Sequence, residues 1–212
     1  MGIIELCNIS KKYGEKVVFK DFNLSVQKGD FISIIGKSGS GKSTLLNIIG
    51  IIEKPDSGST CICGIENPSI DSRKGRILLR NHISYLFQNY GLIEDRSVEY
   101  NIRLVERLRK HSKSMQGLPN IGEALERVGL NGFERKKIYQ LSGGEQQRVA
   151  IAKILVKPTD IILADEPTGS LDPINRDLIL SLLMELNKTG KTVLMVTHDE
   201  NATKFSNKVK TL

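Results

Sequence analysis

Between Gly36 and Ser43 the chain reads Gly36-Lys37-Ser38-Gly39-Ser40-Gly41-Lys42-Ser43, a complete G-x-x-x-x-G-K-S pattern. Glycines let a loop curl tightly, so that successive backbone N–H groups point inward and capture oxyanions. A helix starting near Lys42 would add its positive end. Lys42 would reach the β- and γ-phosphates of a nucleoside triphosphate, the Ser43 hydroxyl would ligate Mg²⁺, and Thr44 would touch the α-phosphate. A flexible Gly/Ser turn is the competing reading. It fails on placement: the apolar run FISII precedes the loop and Leu45, Leu46, Ile48 and Ile49 follow with helical spacing.

A second chemical signal lies at Asp165-Glu166, which follow the apolar run Ile161-Ile162-Leu163-Ala164. Carboxylates at the end of a buried parallel strand face the crevice where ligands bind in such sheets. Phosphoryl transfer needs a metal ligand and a group that orients the attacking water. Asp165 suits the first task and Glu166 the second. A third signal is Ser142-Gly143-Gly144, which opens a stretch carrying Val149, Ile151, Ala152 and Leu155. Physically it is another helix start able to bind an anion, and equally a plain N-cap with two tolerated glycines.

The elements around these signals follow from periodicity. Alternation over Ile3 to Ile9 and Val17 to Val26 predicts two half-buried antiparallel strands. FISII, IILAD and TVLMV are short and nearly all apolar, as strands buried on both faces are. From Ser97 to about Lys157 the pattern is helical, with Val98, Ile102, Val105 and Leu108 three or four apart. Strands alternating with helices indicate an α/β fold around a parallel sheet. The expected organisation is one domain over 1–212: a sheet core with an N-terminal antiparallel β subdomain (1–87 and 158–212) and an inserted α-helical subdomain (88–157).

Bulk properties exclude several classes. The 212 residues hold one substantial domain. No apolar run reaches the roughly 18 residues that span a bilayer, and the N-terminus has no secretory pattern. The net charge of +7 is dispersed along the chain. The basic run from Arg103 to Lys113 reads as a solvated helix face, not a nucleic-acid site. Three cysteines fit a reducing compartment. Cys61 and Cys63 are not at zinc-ligand spacing and are expected to pack as small apolar side chains.

LSGGEQQRVAIAKIL, from Leu141, resembles the signature of ABC ATPases, and the other motifs come in that family's order along nearly the whole chain. The resemblance implies a P-loop NTPase core that binds and hydrolyses ATP with Mg²⁺. It implies that Tyr13 stacks on adenine, that Gln88 contacts Mg²⁺ or the attacking water, that Asp172 belongs to a Ser170-Leu171-Asp172 loop joining two active sites, and that His198 bonds the γ-phosphate. Glu166, His198, Gln88 and Lys42 are then the catalytic set, and Ser43, Gln88 and Asp165 the metal set. Ser142, Gly143 and Gly144 would contact ATP held by a second copy, in a head-to-tail homodimer. His82 and His111 match no family position and are expected to be exposed.

ADEPTGSLD, YLFQNYGLI and SVEYNI are most similar to the subfamily that drives lipoprotein release, macrolide efflux and antimicrobial-peptide export. That likeness implies a motor at the cytoplasmic face of a membrane, working with a separate permease subunit. An ATPase that signals across the membrane without transport would carry the same motifs. Ribosome-acting relatives have two cassettes in tandem, and chromosome-structuring ones place a long coiled coil between the first and third motifs; this chain has neither. Tyr90, Leu92 and Ile93, just after Gln88, are the expected permease-facing surface, or else a pin between the subdomains.

Overall fold

A computed structural model describes residues 2–107, 117–169 and 171–212. Leu108, His111, Lys113 and Ser170, named above, lie outside them. The order of elements is β1 (Ile4–Tyr13), β2 (Lys16–Val26), β3 (Phe31–Ile35), α1 (Lys42–Ile49), β4 (Ser57–Ile62), β5 (Ile65–Glu66), α2 (Arg73–Asn81), β6 (Ile83–Leu86), α3 (Val98–Glu106), α4 (Ile121–Arg127), α5 (Gly143–Leu155), β7 (Ile161–Asp165), α6 (Pro173–Lys188), β8 (Thr192–Val196) and β9 (Lys208–Thr211).

The strands form two sheets. One has the order β6-β7-β8-β3-β9 and every neighbouring pair is parallel. The other, β2-β1-β4-β5, is antiparallel. The expected α/β architecture is therefore present, with α3, α4 and α5 lying in sequence between β6 and β7.

The period of two along the parallel strands sorts their side chains into two cores. Ile162 and Ala164 of β7, with Val193 and Met195 of β8, pack with the buried residues of α3, α4, α5 and α6. Ile161 and Leu163, with Leu194 and Val196, pack on the other face with α1, α2 and the antiparallel sheet. Both faces are covered by apolar side chains, so the polar residues of β7 and β8 are confined to strand ends, Asp165 and Thr192.

Local capping fixes where the helices begin. Ser142 caps α5 and Asn120 caps α4, each in a reciprocal capping box with the glutamate three residues on, Glu145 and Glu123. Asp172 caps α6 by accepting from the N–H groups of Ile174 and Asn175, and Pro173 follows at the first helical position. Among the described residues from Ser97 onward, one stretch expected to be helical is not. Residues 128–142, between α4 and α5, run as turns and a short 3₁₀ segment at Ile138–Gln140. Gly129 and Gly132 take positive φ there, ending α4.

Leu163 is wholly buried in the centre of the parallel sheet. Leu163→Ala should cost about 2–5 kcal/mol through lost burial and the cavity left behind. Ile174→Ala, at a site 82% exposed, should stay within about 0.5 kcal/mol. Urea midpoints at unchanged slope measure both.

Candidate nucleotide site

Strand order decides which loops meet. β8 lies between β7 and β3, and β6 flanks β7. Because all four are parallel, their carboxyl ends lie along one edge, about 4.8 Å apart from strand to strand. Gly36 to Gly41 follow β3, His198 follows β8, Asp165-Glu166 end β7, and Gln88 follows β6. Motifs up to 162 residues apart in sequence, Gly36 and His198, thereby meet at one edge.

The loop after β3 needs its glycines. Gly39 and Gly41 hold φ of +75° and +99°, and Gly41 is the left-handed N-cap of α1. A Cβ at Gly41 would sit 2.4 Å from Val18 Cγ1, and one at Gly36 would sit 2.8 Å from the Leu212 carbonyl. Lys42 is buried, and its ammonium donates to the carbonyls of Gly36 at 2.9 Å and Lys37 at 3.0 Å. The charge is thus folded back over the loop, against oxygens with which phosphate oxygens would compete. The Ser40 hydroxyl is buried without a protein partner.

A cleft of about 320 Å³ opens beside this loop, lined by Ser38, Gly39, Gly41, Lys42, Ser43 and Thr44. Gln88, Asp165 and Glu166 form its far wall and Tyr13 its rim. The Ser43 hydroxyl donates to Asp165 Oδ1 at 3.2 Å. Burial pushes the Asp165 carboxyl above the usual range, and the neighbouring Glu166 charge adds to this; Ser43 and Lys42 act against it. Glu166 takes φ +46°, uncommon for a residue with a side chain, and its N–H donates to Val196 O at 3.0 Å. Its Oε2 is buried and lies 2.9 Å from His198 Nδ1, whose ring is mostly exposed. The two contacts draw the ends of α1 and β7, and of β7 and β8, into one constellation.

Tyr13 ends β1, at a two-residue turn in which Gly14 has φ +57°. Its ring is 48% exposed. The hydroxyl donates to Glu53 Oε1 at 2.5 Å and lies 3.4 Å from Thr44 Oγ1. Lys11 binds the same carboxylate at 3.0 Å and sits 5.4 Å from the ring centroid. Glu53 and Lys11 therefore fix the tilt of Tyr13. Sequence reading missed them, since one glutamate in a turn after α1 carries no local signal.

Gly36, Lys37, Ser40 and His198 adjoin the cleft through their neighbours without lining it. Ser142, Gly143, Gly144 and Asp172 stand apart from it. They form a second cluster. Asn175 of α6 accepts from Arg148 Nη1 at 3.1 Å and donates to Asp172 Oδ2 at 2.5 Å. A Cβ at Gly144 would sit 2.6 Å from Asn175 Oδ1, so only glycine lets α5 start this close to α6. A Cβ at Gly143 would sit 2.8 Å from the Tyr90 hydroxyl. Leu92 is partly buried against the helical core, whereas Ile93 is 43% exposed.

The profile of the ABC transporter family matches residues 19–169. The chain is 40% identical over 213 residues to the macrolide export ATP-binding/permease protein MacB of Mannheimia succiniciproducens, covering 99% of this chain and 33% of that protein. It thus spans about one third of such a relative's length. It is 41% identical over 216 residues to an ABC transporter ATP-binding protein, MJ0796, of Methanocaldococcus jannaschii, covering 98% of this chain and 92% of that one. A dimeric structure of MJ0796 superposes with a TM-score of 0.87 at 40% identity, covering 99% of this chain and 94% of the other. A post-hydrolysis MJ0796 dimer bound to ADP and Pi superposes at 0.85 and 39% identity, with the same coverage. Matched over most of its length by the family profile and nearly end to end by a relative, the chain belongs to the ABC transporter family.

Proposed function

We propose that this chain is the ATP-driven motor of a membrane export system, acting as a pair with two ATP molecules between its copies. One observation carries the reading. Lys42, Ser43, Gln88, Asp165 and Glu166 line one cleft, His198 touches Glu166, and the Ser142–Gly144 helix start lies outside that cleft. A single copy therefore offers half of the anion-binding donors at each place. A head-to-tail pair brings Ser142, Gly143, Gly144 and Asp172 of one copy to the cleft of the other, and the dimeric relatives support this.

The roles follow from charge and reach. The loop N–H groups from Gly36 to Gly41 and the start of α1 bind the phosphate chain. Lys42 leaves its loop carbonyls and neutralises β- and γ-phosphate charge. Ser43 and Asp165, a hydroxyl beside a buried carboxylate with Glu166 adding negative charge, are hard oxygen ligands that suit Mg²⁺, with Gln88 as a further oxygen. The ion would supply charge neutralisation at the bridging oxygens. Glu166 orients water and accepts its proton, and His198 holds Glu166 while reaching the γ-phosphate. Glu166→Gln should lower hydrolysis roughly 10²–10⁴-fold with ATP binding retained, so a dimer should accumulate on size exclusion with ATP and Mg²⁺. Retained turnover, or a monomer at saturating ATP, overturns the assignment.

Tyr13 would stack its exposed ring on adenine while Glu53 holds the hydroxyl. Tyr13→Phe should bind ATP nearly normally, and Tyr13→Ala should lose about 1–2 kcal/mol. Nucleotide titration separates the two; equal affinities remove the stacking role.

Among the described residues no helix is long and apolar enough to cross a membrane; attachment to a bilayer through a permease is part of the proposed reading. The surface proposed for that partner is a cleft of about 270 Å³ between the sheet core (1–87 and 158–212) and the helical segment (88–157), lined by Ile52, Tyr85, Phe87, Tyr90 and Val105. Phe87 stacks on Tyr85 at 4.2 Å and remains 40% exposed. It probes the surface better than Leu92, whose packing against the core would confound folding with docking. Phe87→Ser should leave ATP binding unchanged and weaken copurification with the permease; undiminished assembly would exclude the cleft as the docking surface.

A further inference from the structure

Three side chains that ligate metals meet at the opposite end of the parallel sheet from the nucleotide cleft. Ligand atoms of Cys63, His82 and Asp160 all lie within 4.8 Å of one another. His82 Nδ1 lies 2.5 Å from Asp160 Oδ2. His82 and Asp160 immediately precede β6 and β7, whereas Asp165 closes β7 at the other end. Five residue steps of strand, at about 3.3 Å each, put the two backbones roughly 16 Å apart. This cluster is outside the ATP chemistry, and none of its members lines the nucleotide cleft.

We propose that Cys63, His82 and Asp160 form a binding site for one thiophilic divalent transition-metal ion, for which Zn²⁺ is the natural probe. A thiolate, an imidazole and a carboxylate are the donor types Zn²⁺ takes, and three protein ligands leave a fourth position for water. In a tetrahedral site with bonds of about 2.0–2.3 Å the ligand atoms stand roughly 3.5 Å apart. The observed cluster needs only side-chain adjustment to reach this: Cys63 moves inward, and the His82–Asp160 pair opens. All three residues are partly accessible, so an ion has a route in.

The backbones beneath these ligands are tied together. The N–H groups of Asp160 and Ile161 both donate to the His82 carbonyl, at 2.9 and 2.8 Å. Cys63 N–H donates to Ile3 O at 2.8 Å. Cys63 and Gly64 make the two-residue turn between β4 and β5, with φ of +50° and +75°. A turn with two positive φ values favours Asn-Gly, so a cysteine at its first position is not what the turn itself asks for.

The blander account is a His82–Asp160 hydrogen bond with Cys63 as filler. The cysteine at a turn position that favours Asn argues for more. Burial, with the Asp160 charge second, pushes the Cys63 thiol up to about 11, a cost that the metal–sulfur bond has to exceed, so binding strengthens as pH rises. On binding, the thiol proton leaves to solvent; Cys63 and Asp160 then balance the 2+ charge, and His82 ligates as neutral imidazole. Lys28 and Lys191 lie within electrostatic reach of Asp160 and oppose the ion, which sets a moderate affinity. The bound ion would clamp the β4–β5 turn to the amino ends of β6 and β7.

The test uses the full chain without nucleotide or Mg²⁺, thiols reduced and the reductant then removed. Titration with Co²⁺ should give a thiolate-to-cobalt charge-transfer band saturating at one equivalent and bleached by Zn²⁺. Zn²⁺ should raise the thermal midpoint. Cys63→Asn, which suits the turn and removes the sulfur, should abolish the band and the thermal shift while ATP binding persists. Cys7→Ser, at the exposed thiol, should keep both. His82→Asn and Asp160→Asn should each weaken Zn²⁺ at least tenfold. The proposal is overturned if no sulfur-to-cobalt band appears, if the band survives Cys63→Asn, if it disappears in Cys7→Ser, or if the His82 and Asp160 variants bind as tightly as wild type.

Discussion

The parallel ladder β6-β7-β8-β3 is the constraint on which the rest depends. Both of its faces are covered by apolar cores, so a polar group can leave the sheet only at a strand end. Parallel pairing then puts every carboxyl end on one side and every amino end on the other. The register Ile34↔Val196 and Asp165↔Val196 carries the Gly36–Gly41 loop, His198 and the acidic pair to a common edge. No side-chain contact has to assemble them, since backbone hydrogen bonds do it first.

That edge is electrostatically unfinished in the protein alone. Lys42 covers loop carbonyls, Asp165 is held above its ordinary pKa by burial, and the buried Glu166 Oε2 lies 2.9 Å from the ring of His198. Adjacent desolvated carboxylates on one wall and an inturned ammonium on the other are the charges that a polyanion with its cation would satisfy together. The strained backbone at Glu166 is consistent with a functional position, where such conformations concentrate. The Arg148–Asn175–Asp172 chain ties the start of α5 to the cap of α6. The two segments that would approach a second copy are therefore joined by hydrogen bonds.

The two ends of β7 carry different donor sets. Its carboxyl end holds hard oxygen donors, Asp165 and Glu166; its amino end brings Asp160 to a sulfur and an imidazole. Donor softness separates the metals each end would select, and the dry strand between keeps the two ends apart.

Much of the site was legible in the sequence, because its signals are local. The loop Gly36–Ser43, the pair Asp165-Glu166 and the helix start Ser142–Gly144 each need particular residue types at adjacent positions, for reasons of backbone reach and charge. Two-faced burial likewise marked β3, β7 and β8, and alternation marked β1 and β2. What lay beyond local reading depends on contacts between distant segments. Glu53 and Lys11 holding Tyr13, Asn175 beneath Gly144, and Leu92 turned into the core carry no spacing signal. His82 was expected at the surface, yet it is half-buried against Asp160. Cys63 was read as filler because ligand spacing along the chain was absent; only the ladder between β6 and β7 and the turn before β5 bring Cys63, His82 and Asp160 within 4.8 Å. Backbone conformation and local charge are written in neighbouring residues, but which distant side chains share a volume is decided by sheet register and packing.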